Sequence, residues 1–383
     1  MRLITSTDQL AAACERLAGH PYVAVDTEFM RETTYWPKLC LIQLAGPDHH
    51  ALVDPLAKDI DLAPFFALLA DERVTKVFHA ARQDIEIFWI KARQIPTPIF
   101  DTQVAAMVCG FGDSVSYVNL VKKLLSEEVD KSSRFTDWSR RPLSDRQLAY
   151  ALGDVTHLCG VYQRLAKELD RSGRAHWLEA EMGLLTDPAT YESSPEEAWR
   201  RVKVRVKSRR AQAILMELAL WRERLAQTAD VPRNRIMRDD ALGDIANHAP
   251  DSPGSLGELR SVSAGFARSE RAKEVIEAVQ RGRKRSLDTV PHLERGEALP
   301  AGAAATADLL RVLLKACAAK HGVAPKVLAT TEELEAIAVD DNADVPALKG
   351  WRRELFGKDA LELKHGRLAL AVEKGEVKVV PAG

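Results

Sequence analysis

The stretch YVAVDTEFM, residues 22–30, constrains the fold more than any other part of the chain. Its first four residues suit the interior of a buried strand, and they run directly into Asp26 and Glu28. Because residues i and i+2 of a strand point to the same face, the two carboxylates project together, with Thr27 opposite. A divalent cation such as Mg²⁺ or Mn²⁺ would relieve their repulsion. The alternative is a strand that ends here with both carboxylates in solvent.

Residues 1 to about 180 alternate strand-like and helix-like segments. Three strand-like runs come first: YVAVDTEF, CLIQLA and HHALVDP. They are followed by the strand VTKVFHA, the helix ARQDIEIFWIKA and the segment IFDTQVAAMVCG, which begins as a strand and becomes a helix. Capped helices are predicted over 5–17, with Ser6 as N-cap, and over 143–170, with Ser144 as N-cap and Gln147 three residues later. This order predicts a mixed sheet covered by helices on both faces.

The composition changes near residue 195, where the basic run RRVKVRVKSRR (200–210) contains no acid. The chain then has a helix-and-loop pattern up to the tail VEKGEVKVV. VPRNRIMRDDALGDIA (231–246) matches VAPKVLATTEELEAIA (323–338) without a gap, which predicts two copies of a helical unit of roughly 75 residues. The predicted domains are 1–190, 205–285 and 304–377, with a linker over 286–303.

Further acids can converge on the end of the first strand. Asp84, in HAARQDIEIFW, is either a metal ligand or an N-terminal charge that stabilises the helix dipole. Tyr150 and Asp154, in LAYALGDVTHL, are four residues apart and share one face of a helix. An acid beside a core-facing stripe is costly unless it is paired or bound to a metal. The alternative for Tyr150 is a core aromatic residue with its hydroxyl at the edge.

These four acids and one tyrosine resemble the DEDD exonuclease superfamily in its tyrosine subclass. DTEF corresponds to the first motif, the Asp of HAARQD to the second and YxxxD to the third. The histidine subclass would have His five residues before the last Asp, where this chain has Ala149. His157 follows Asp154 and does not fit that role.

The resemblance to the ribonuclease D family covers nearly the whole chain and is strongest over 20–165. ETTYWPKLCLIQLA, KVFHAARQDIEIF and TDWSRRPLSDRQLAYALGDVTHL carry it, and the helical repeats resemble the HRDC domains of that family. It implies a multidomain α/β plus all-α protein. A ribonuclease H-like mixed β-sheet with flanking helices would be followed by two small helical-bundle HRDC domains.

The same resemblance implies a metal-dependent 3′→5′ exoribonuclease that releases nucleoside 5′-monophosphates with two divalent ions, Mg²⁺ or Mn²⁺. It assigns Asp26 to both ions. Glu28 and Asp154 complete the site of the ion that holds the attacking water, and Asp84 supports the second ion near the leaving 3′-oxygen. Tyr150 orients the water. Since a free tyrosine has a pKa of about 10, we interpret it as a positioning group before a base.

Substrate contacts are also implied by the family. Glu28 and the backbone after it would meet the terminal ribose. Phe29 and Met30 would contact the last bases, and Tyr35 or Trp36 would stack on one. The alternative for each of these four is core packing or an exposed loop position.

The basic loop DKSSRFTDWSRRPL, with Lys131, Ser132, Arg134 and Trp138, is predicted to guide the RNA backbone. A solvated turn is the alternative. Asp101 is interpreted as the N-cap of the helix at 102. Two other polar residues are interpreted as structural, His79 as a core histidine and Gln43 as a strand group.

The formal net charge of −1 means that contact with a polyanion must come from local patches, and the runs 200–210 and 281–285 (RGRKR) are the candidates. The alternative is a solvated helix face. The five cysteines are scattered without a CxxC, and no signal-peptide core or membrane-spanning apolar run is present. We therefore expect a cytoplasmic protein without membrane association or an obligate protein partner.

The family implies RNA with a free 3′ end as the substrate, especially tRNA precursors. A 3′→5′ DNA exonuclease is an alternative, because the same metal site serves both sugars. The absence of a polymerase or helicase region in this sequence argues against it. A catalytically silent RNA-binding module is a third interpretation, and the five intact motif positions argue against that one.

Overall fold

The computed structural model describes residues 3–382 except 131, 132, 134, 193 and 292–298. The strands of the main sheet are β1 (Tyr22–Met30), β2 (Lys38–Ala45), β3 (His50–Val53), β4 (Thr75–Phe78) and β5 (Ile99–Asp101). A separate hairpin consists of β6 (Leu368–Glu373) and β7 (Glu376–Pro381). In the main sheet the order is β3-β2-β1-β4-β5, with β3 antiparallel to β2 and β4 parallel to β1 and β5. The predicted mixed sheet is confirmed, and β1 lies at its centre.

The helices fall into three groups along the chain. Residues 1–190 contain α1 (Thr7–Ala18), α2 (Ala63–Ala70), α3 (Arg82–Ala92), α4 (Thr102–Val108), α5 (Tyr117–Leu125), α6 (Asp145–Ser172) and α7 (Leu178–Thr186). The next group is α8 (Arg209–Ala229), α9 (Arg233–Ile236), α10 (Asp239–His248), α11 (Pro253–Gly257), α12 (Ala264–Ala267) and α13 (Glu270–Lys284). The last is α14 (Ala303–His321), α15 (Pro325–Leu328), α16 (Thr331–Val339), α17 (Gly350–Arg352) and α18 (Lys358–Lys364).

Short turns of other helix types connect these elements. The 3₁₀ turns are Ala175–Trp177, Pro188–Thr190, Pro195–Arg201, Leu287–Thr289 and Pro346–Leu348. A π-helical turn, Arg353–Gly357, joins α17 to α18. No described helix combines the length and the apolar character needed to cross a membrane.

Side-chain caps fix where the principal helices begin. The Ser6 hydroxyl accepts a hydrogen bond from the backbone N–H of Gln9, and Ser144 forms a capping box with Gln147. Asp101 ends β5 and caps α4 by accepting from the backbone N–H of Gln103. These three predicted caps are confirmed, and each is worth about 1 kcal/mol.

Contacts divide the chain into two units that are not contiguous in sequence. The first comprises residues 1–28, 39–190 and 298–383, and the second comprises 29–38 and 191–297. Each unit has its own buried core. The domain boundaries predicted from the sequence stay a prediction, because this division cuts across them.

The two helical copies share an element pattern. α9 and α15 begin and end 92 residues apart, and α10 and α16 also begin 92 residues apart. A long helix precedes each pair, α8 in the first copy and α14 in the second. The spacing of the repeated sequence is therefore also the spacing of the repeated structure.

The second copy is built into the first unit. Ala324 and Val327 are buried in the same cluster as Ala105 and Val108 of α4. The backbone N–H of Ala324 donates to the carbonyl of Met107 at 2.8 Å. An added Cβ at Gly110, which has φ +80°, would lie 2.6 Å from the Gly322 carbonyl oxygen. The turn before α15 therefore packs tightly against the end of α4.

Arg174 joins these two parts of the first unit, so we expect Arg174→Ala to lower the free energy of unfolding by about 2 kcal/mol. Its guanidinium donates to the carbonyls of Val108, His321 and Gly322 at 2.7–3.3 Å. Arg171→Ala is the matched control, because its exposed ion pair with Glu168 is worth little. Thermal melts that fall equally in both variants would contradict the assigned role.

In the second unit most of the predicted basic patches are occupied by structural contacts. Arg209 donates to the carbonyls of Leu287 and Val290, and Arg210 donates to those of Gly282 and Arg285. Arg281 and Arg285 both pair with Glu217. The sequence did not reveal these partners. Phosphate contact by the remaining exposed cations of the two runs, such as Lys203, Arg205 and Lys207, stays a prediction.

Candidate metal centre

The end of β1 brings two of the predicted acids together with a third from α6. One carboxylate oxygen each of Asp26, Glu28 and Asp154 lies within 4.8 Å of the other two. Asp26 and Glu28 meet because alternate residues of a strand project to one face. Residues 22–25 ahead of them are buried, so the core fixes β1 and thereby the direction of both carboxylates.

Helix α6 positions Asp154 and, one turn earlier, Tyr150. Ala151 and Val155 on the same helix are buried, and they hold it against the core. The Tyr150 hydroxyl lies next to the Asp154 carboxylate, so each group shifts the pKa of the other. The Tyr117 hydroxyl donates to the backbone carbonyl of Asp154 and holds this turn of the helix.

Asp84 occupies a different environment from the other three acids. It lies in the first turn of α3 and is 7% exposed, and the Thr27 hydroxyl donates to its Oδ1. Thr27 projects to the face opposite Asp26 and Glu28, as the strand period requires. Asp84 is not part of the three-carboxylate group, so its predicted contact with a second ion stays a prediction.

Burial disfavours charge on these carboxylates. It raises the pKa of Asp26 to about 6. Burial, together with the charge of Asp26, raises the pKa of Asp154 to about 8 against the opposing hydrogen bond from Tyr150. Burial is also the main cause of the raised pKa of Asp84, to which the charge of Asp26 adds. A nearby cation would remove this cost, because it favours the ionised form of every carboxylate.

Tyr150 keeps its proton in this environment. Burial raises the pKa of its hydroxyl well above the ordinary value, and the charge of Asp154 adds to the effect. The ring lies 5.9 Å, centroid to centroid, from that of Trp138. Trp138 is 2% exposed, so it supports Tyr150 from the core. The prediction that Trp138 belongs to an RNA-guiding surface loop is wrong for this residue.

A cavity of about 480 Å³ opens beside the acids and is large enough for a nucleotide. Asp26, Tyr150 and Asp154 line one side. Most of the other lining residues are polar: His79 directly after β4, Gln103 of α4, Ser114 and Ser116 before α5, Tyr117 at the start of α5, and Asp130. Val118, Val129 and Leu158 complete the lining. The sequence pattern gave no signal for Gln103, Ser114, Ser116 or Tyr117, because they lie outside the acidic motifs.

His79 differs from its sequence interpretation as a core residue. Its ring is partly exposed to the cavity, and Nδ1 is 3.0 Å from the Thr102 hydroxyl. Burial lowers its pKa, so the ring is neutral near neutral pH. Gln43 is fully buried on β2, as expected for a strand group.

The predicted substrate contacts are placed unevenly. Phe29 and Met30 are half-buried at the end of β1. Trp36 donates from its ring N–H to the carbonyl of Gln227, which gives it a structural partner in the second unit. Lys131 and Arg134 lie outside the described residues, as does Ser132. Base or backbone contact by these residues stays a prediction.

Comparison with known proteins matches each half of the chain to a family model. A family model described as 3′-5′ exonuclease matches residues 1–170, and one described as HRDC domain matches residues 211–279. A ribonuclease D of Nitrobacter hamburgensis is 55% identical over 98% of each chain. The chain belongs to the ribonuclease D family. A second ribonuclease D, of Gluconacetobacter diazotrophicus, is 48% identical over 99% of this chain and 97% of its own.

The structural comparison agrees with this membership. The crystal structure of Escherichia coli RNase D, described as an exoribonuclease involved in structured RNA processing, matches with a TM-score of 0.81 and 31% identity. It covers 95% of this chain and 98% of that one. The chain is therefore a 3′-5′ exoribonuclease of the ribonuclease D type, with a ribonuclease H-like sheet and a helical HRDC region.

The residues at the end of β1 fit the divalent metal that the exonuclease fold uses. Three carboxylates offer hard oxygen ligands within 4.8 Å of one another, and burial makes the charge of Asp26 and Asp154 costly without a cation. Asp26, Glu28 and Asp154 would hold the ion. When bound, it would polarise water and neutralise charge on the phosphoryl oxygens.

We expect binding of Mn²⁺ to release protons, because the ion requires ionised carboxylates. Its affinity should rise as the pH increases from 6 and level off above about 8, where Asp154 is ionised without help. Titration calorimetry in two buffers of different ionisation enthalpy measures the number of protons released. Asp154→Asn is the control and should release fewer. Binding that is independent of pH over this range would contradict the expectation.

Proposed function

We propose that the enzyme removes nucleotides one at a time from the 3′ end of structured RNAs such as tRNA precursors and releases nucleoside 5′-monophosphates. It belongs, in this proposal, to the tyrosine subclass of DEDD exonucleases and uses two divalent ions, Mg²⁺ or Mn²⁺. Asp26, Glu28, Asp84 and Asp154 are the ligands. The meeting of Asp26, Glu28 and Asp154 at the end of β1 is the observation that carries the assignment.

Tyr150 orients the attacking water in this proposal. Its hydroxyl is next to Asp154 and retains its proton, so it acts as a hydrogen-bond donor rather than a base. We expect Tyr150→Phe to lower kcat by about 10²-fold, the scale of a lost positioned proton donor, with little change in KM. Trp138→Phe, which alters the supporting ring, is the control. An unchanged kcat in Tyr150→Phe would remove the residue from the mechanism.

We also propose that residues 304–377 are a second, divergent HRDC-like domain. The equal spacing of α9 with α15 and of α10 with α16 supports this. The first copy would hold the RNA body, while the second supports the exonuclease part from within its own unit. The E. coli relative is described as acting in structured RNA processing, and this description supports structured substrates here.

Digestion of matched oligonucleotides tests the function. RNA and DNA of one sequence, each labelled at the 5′ end, are incubated with Mg²⁺ or Mn²⁺ and resolved by length. The proposal predicts a ladder that shortens from the 3′ end of RNA and 5′-monophosphate products. Equal rates on DNA would favour a 3′→5′ DNA exonuclease, and RNA that is bound but uncut would favour a silent binding module. A tRNA precursor compared with an unstructured RNA tests the substrate class.

A further inference from the structure

A second, smaller cavity lies entirely within the unit formed by residues 29–38 and 191–297. Its volume is about 300 Å³, at the lower end of the range for ligand pockets. Arg31, Arg201 and Arg233 line it together with Thr34 and Asn234. We propose that this cavity, named here the arginine pocket, binds a phosphate of the RNA backbone. The proposal rests on the proposed function and adds to it a second RNA contact.

The arginines are held in place by a buried carboxylate. Glu223 is 1% exposed and accepts from Arg201 at 2.8 Å and from Arg233 at 2.5 and 2.7 Å. Although burial raises its pKa, the hydrogen bonds of Arg233 and Tyr35 and the nearby guanidinium charges hold it below the ordinary value. Glu223 is therefore ionised, and one negative charge anchors two positive ones.

The pocket retains positive charge and free donors after this pairing. Among the described residues no hydrogen bond is made by Nη1 of Arg233 or by Nε and Nη1 of Arg201, so donors remain for an anion. The carboxylate lining the pocket is Asp239, and it already accepts from Arg222 at 2.6 Å. The two guanidinium groups of Arg201 and Arg233 share the single carboxylate of Glu223, and the resulting excess of positive charge favours an anionic ligand.

The pocket has little means of reading a base. Arg233 lies over the Tyr35 ring, 4.6 Å from its centroid, and the Tyr35 hydroxyl donates to Glu223 at 2.5 Å. Arginine on the face of this ring leaves that face unavailable to a nucleobase. Phosphate contacts bind nucleic acid without regard to sequence, and an exonuclease that degrades successive nucleotides needs such contacts.

The internal repeat provides a comparison within the same molecule. Of the pocket arginines Arg233 lies within the repeat, and at the spacing of 92 residues it corresponds to Pro325. In the second copy this turn is apolar and packs against α4, with Val327 buried. Arg233 is thus not required by the helical turn itself, since α15 forms at the corresponding position with proline in its place. Its presence in the first copy supports a function that the second copy lacks.

RNA binding as a function of salt tests the arginine pocket. The full-length protein in EDTA, which prevents cleavage, is titrated with a fluorescent RNA hairpin carrying a single-stranded 3′ tail. For Arg31→Ala/Arg201→Ala we expect a Kd raised at least about tenfold at low salt. The slope of log K against log salt should fall by about 1, for the one phosphate that the pocket holds. If the double variant does not fold, the single variant Arg31→Glu replaces it in the same binding measurement, because Arg31 is exposed.

The matched control removes two exposed cations of the same unit that lie outside the pocket and outside the basic runs. Arg224→Ala/Lys273→Ala breaks exposed pairs with Glu196 and Glu270 and should leave Kd and slope near those of the wild type. Equal losses in the control and pocket variants would overturn the proposal. Cleavage of RNA at saturating concentration with Mn²⁺ is measured in parallel. Wild-type protein that does not cleave refutes the proposed function, whereas cleavage with unchanged binding in the pocket variants refutes only the pocket.

Discussion

Asp26→Asn is expected to lower kcat for removal of the 3′-terminal nucleotide by about 10³-fold or more. Asp26 belongs to the three-carboxylate group and is the acid proposed to contact both ions. Loss of several kcal/mol of charge stabilisation in the transition state corresponds to a factor of this size. The substitution keeps the shape of the side chain, so the buried strand β1 should remain intact. Single-turnover cleavage of a 5′-labelled RNA in Mn²⁺ measures the effect.

The control for this substitution is Asp48→Asn, which removes the same charge from an exposed residue paired with His20. It should cleave at the wild-type rate. RNA affinity in EDTA should be similar in both variants, since the acids contact the metal rather than the RNA body. An Asp26→Asn enzyme with wild-type kcat would show that the site lies elsewhere.

Asp154→Asn should stabilise the protein. We expect it to raise the melting temperature of the metal-free protein by several degrees at pH 8. The folded pKa of Asp154 is raised to about 8, above its value in an unfolded chain. Between about pH 4 and 8 the folded state holds a proton that the unfolded state has released, so stability falls as the pH rises. The asparagine side chain does not titrate in this range, so the stability of the variant does not depend on pH at this position. The difference between variant and wild type should therefore widen with pH and become constant above about 8.

Melting curves at pH 5, 7 and 9 in EDTA, repeated with Mn²⁺, test this expectation. Mn²⁺ should stabilise the wild type more than Asp154→Asn, because ligand binding to the folded state raises its stability and the variant has one ligand fewer. Asp145→Asn, at the exposed start of the same helix, is the control. A variant that is less stable than the wild type at pH 9 would contradict the burial argument.

Local patterns predicted much of the sheet and the placement of the acids. The strand period places Asp26 and Glu28 on one face, and the helical period places Tyr150 beside Asp154. Caps at Ser6, Asp101 and Ser144 were predictable because each acts on a backbone N–H only two or three residues away. Features whose cause lies within a few residues are visible in one sequence.

Features with distant partners were not predictable. Trp138 was interpreted as part of a loop that guides RNA. It does lie in the loop before α6, but its side chain is buried beside Tyr150. Tyr35 forms a hydrogen bond with Glu223, 188 residues later. Arg209 and Arg210 appear in the sequence as surface charge but donate to carbonyls more than 70 residues away. Pairings of this kind depend on the tertiary fold and leave no periodic signal.

The connection between β1 and β2 has a consequence for engineering. Residues 29–38 form a compact unit with residues 191–297 rather than with the sheet that they join. The backbone N–H groups of Tyr35 and Trp36 both donate to Asp230 at 3.0 Å. A chimera that takes its HRDC region from a relative by a single cut near residue 190 would separate these partners. Exchange of modules should therefore transfer two segments at once, the short connection together with the helices.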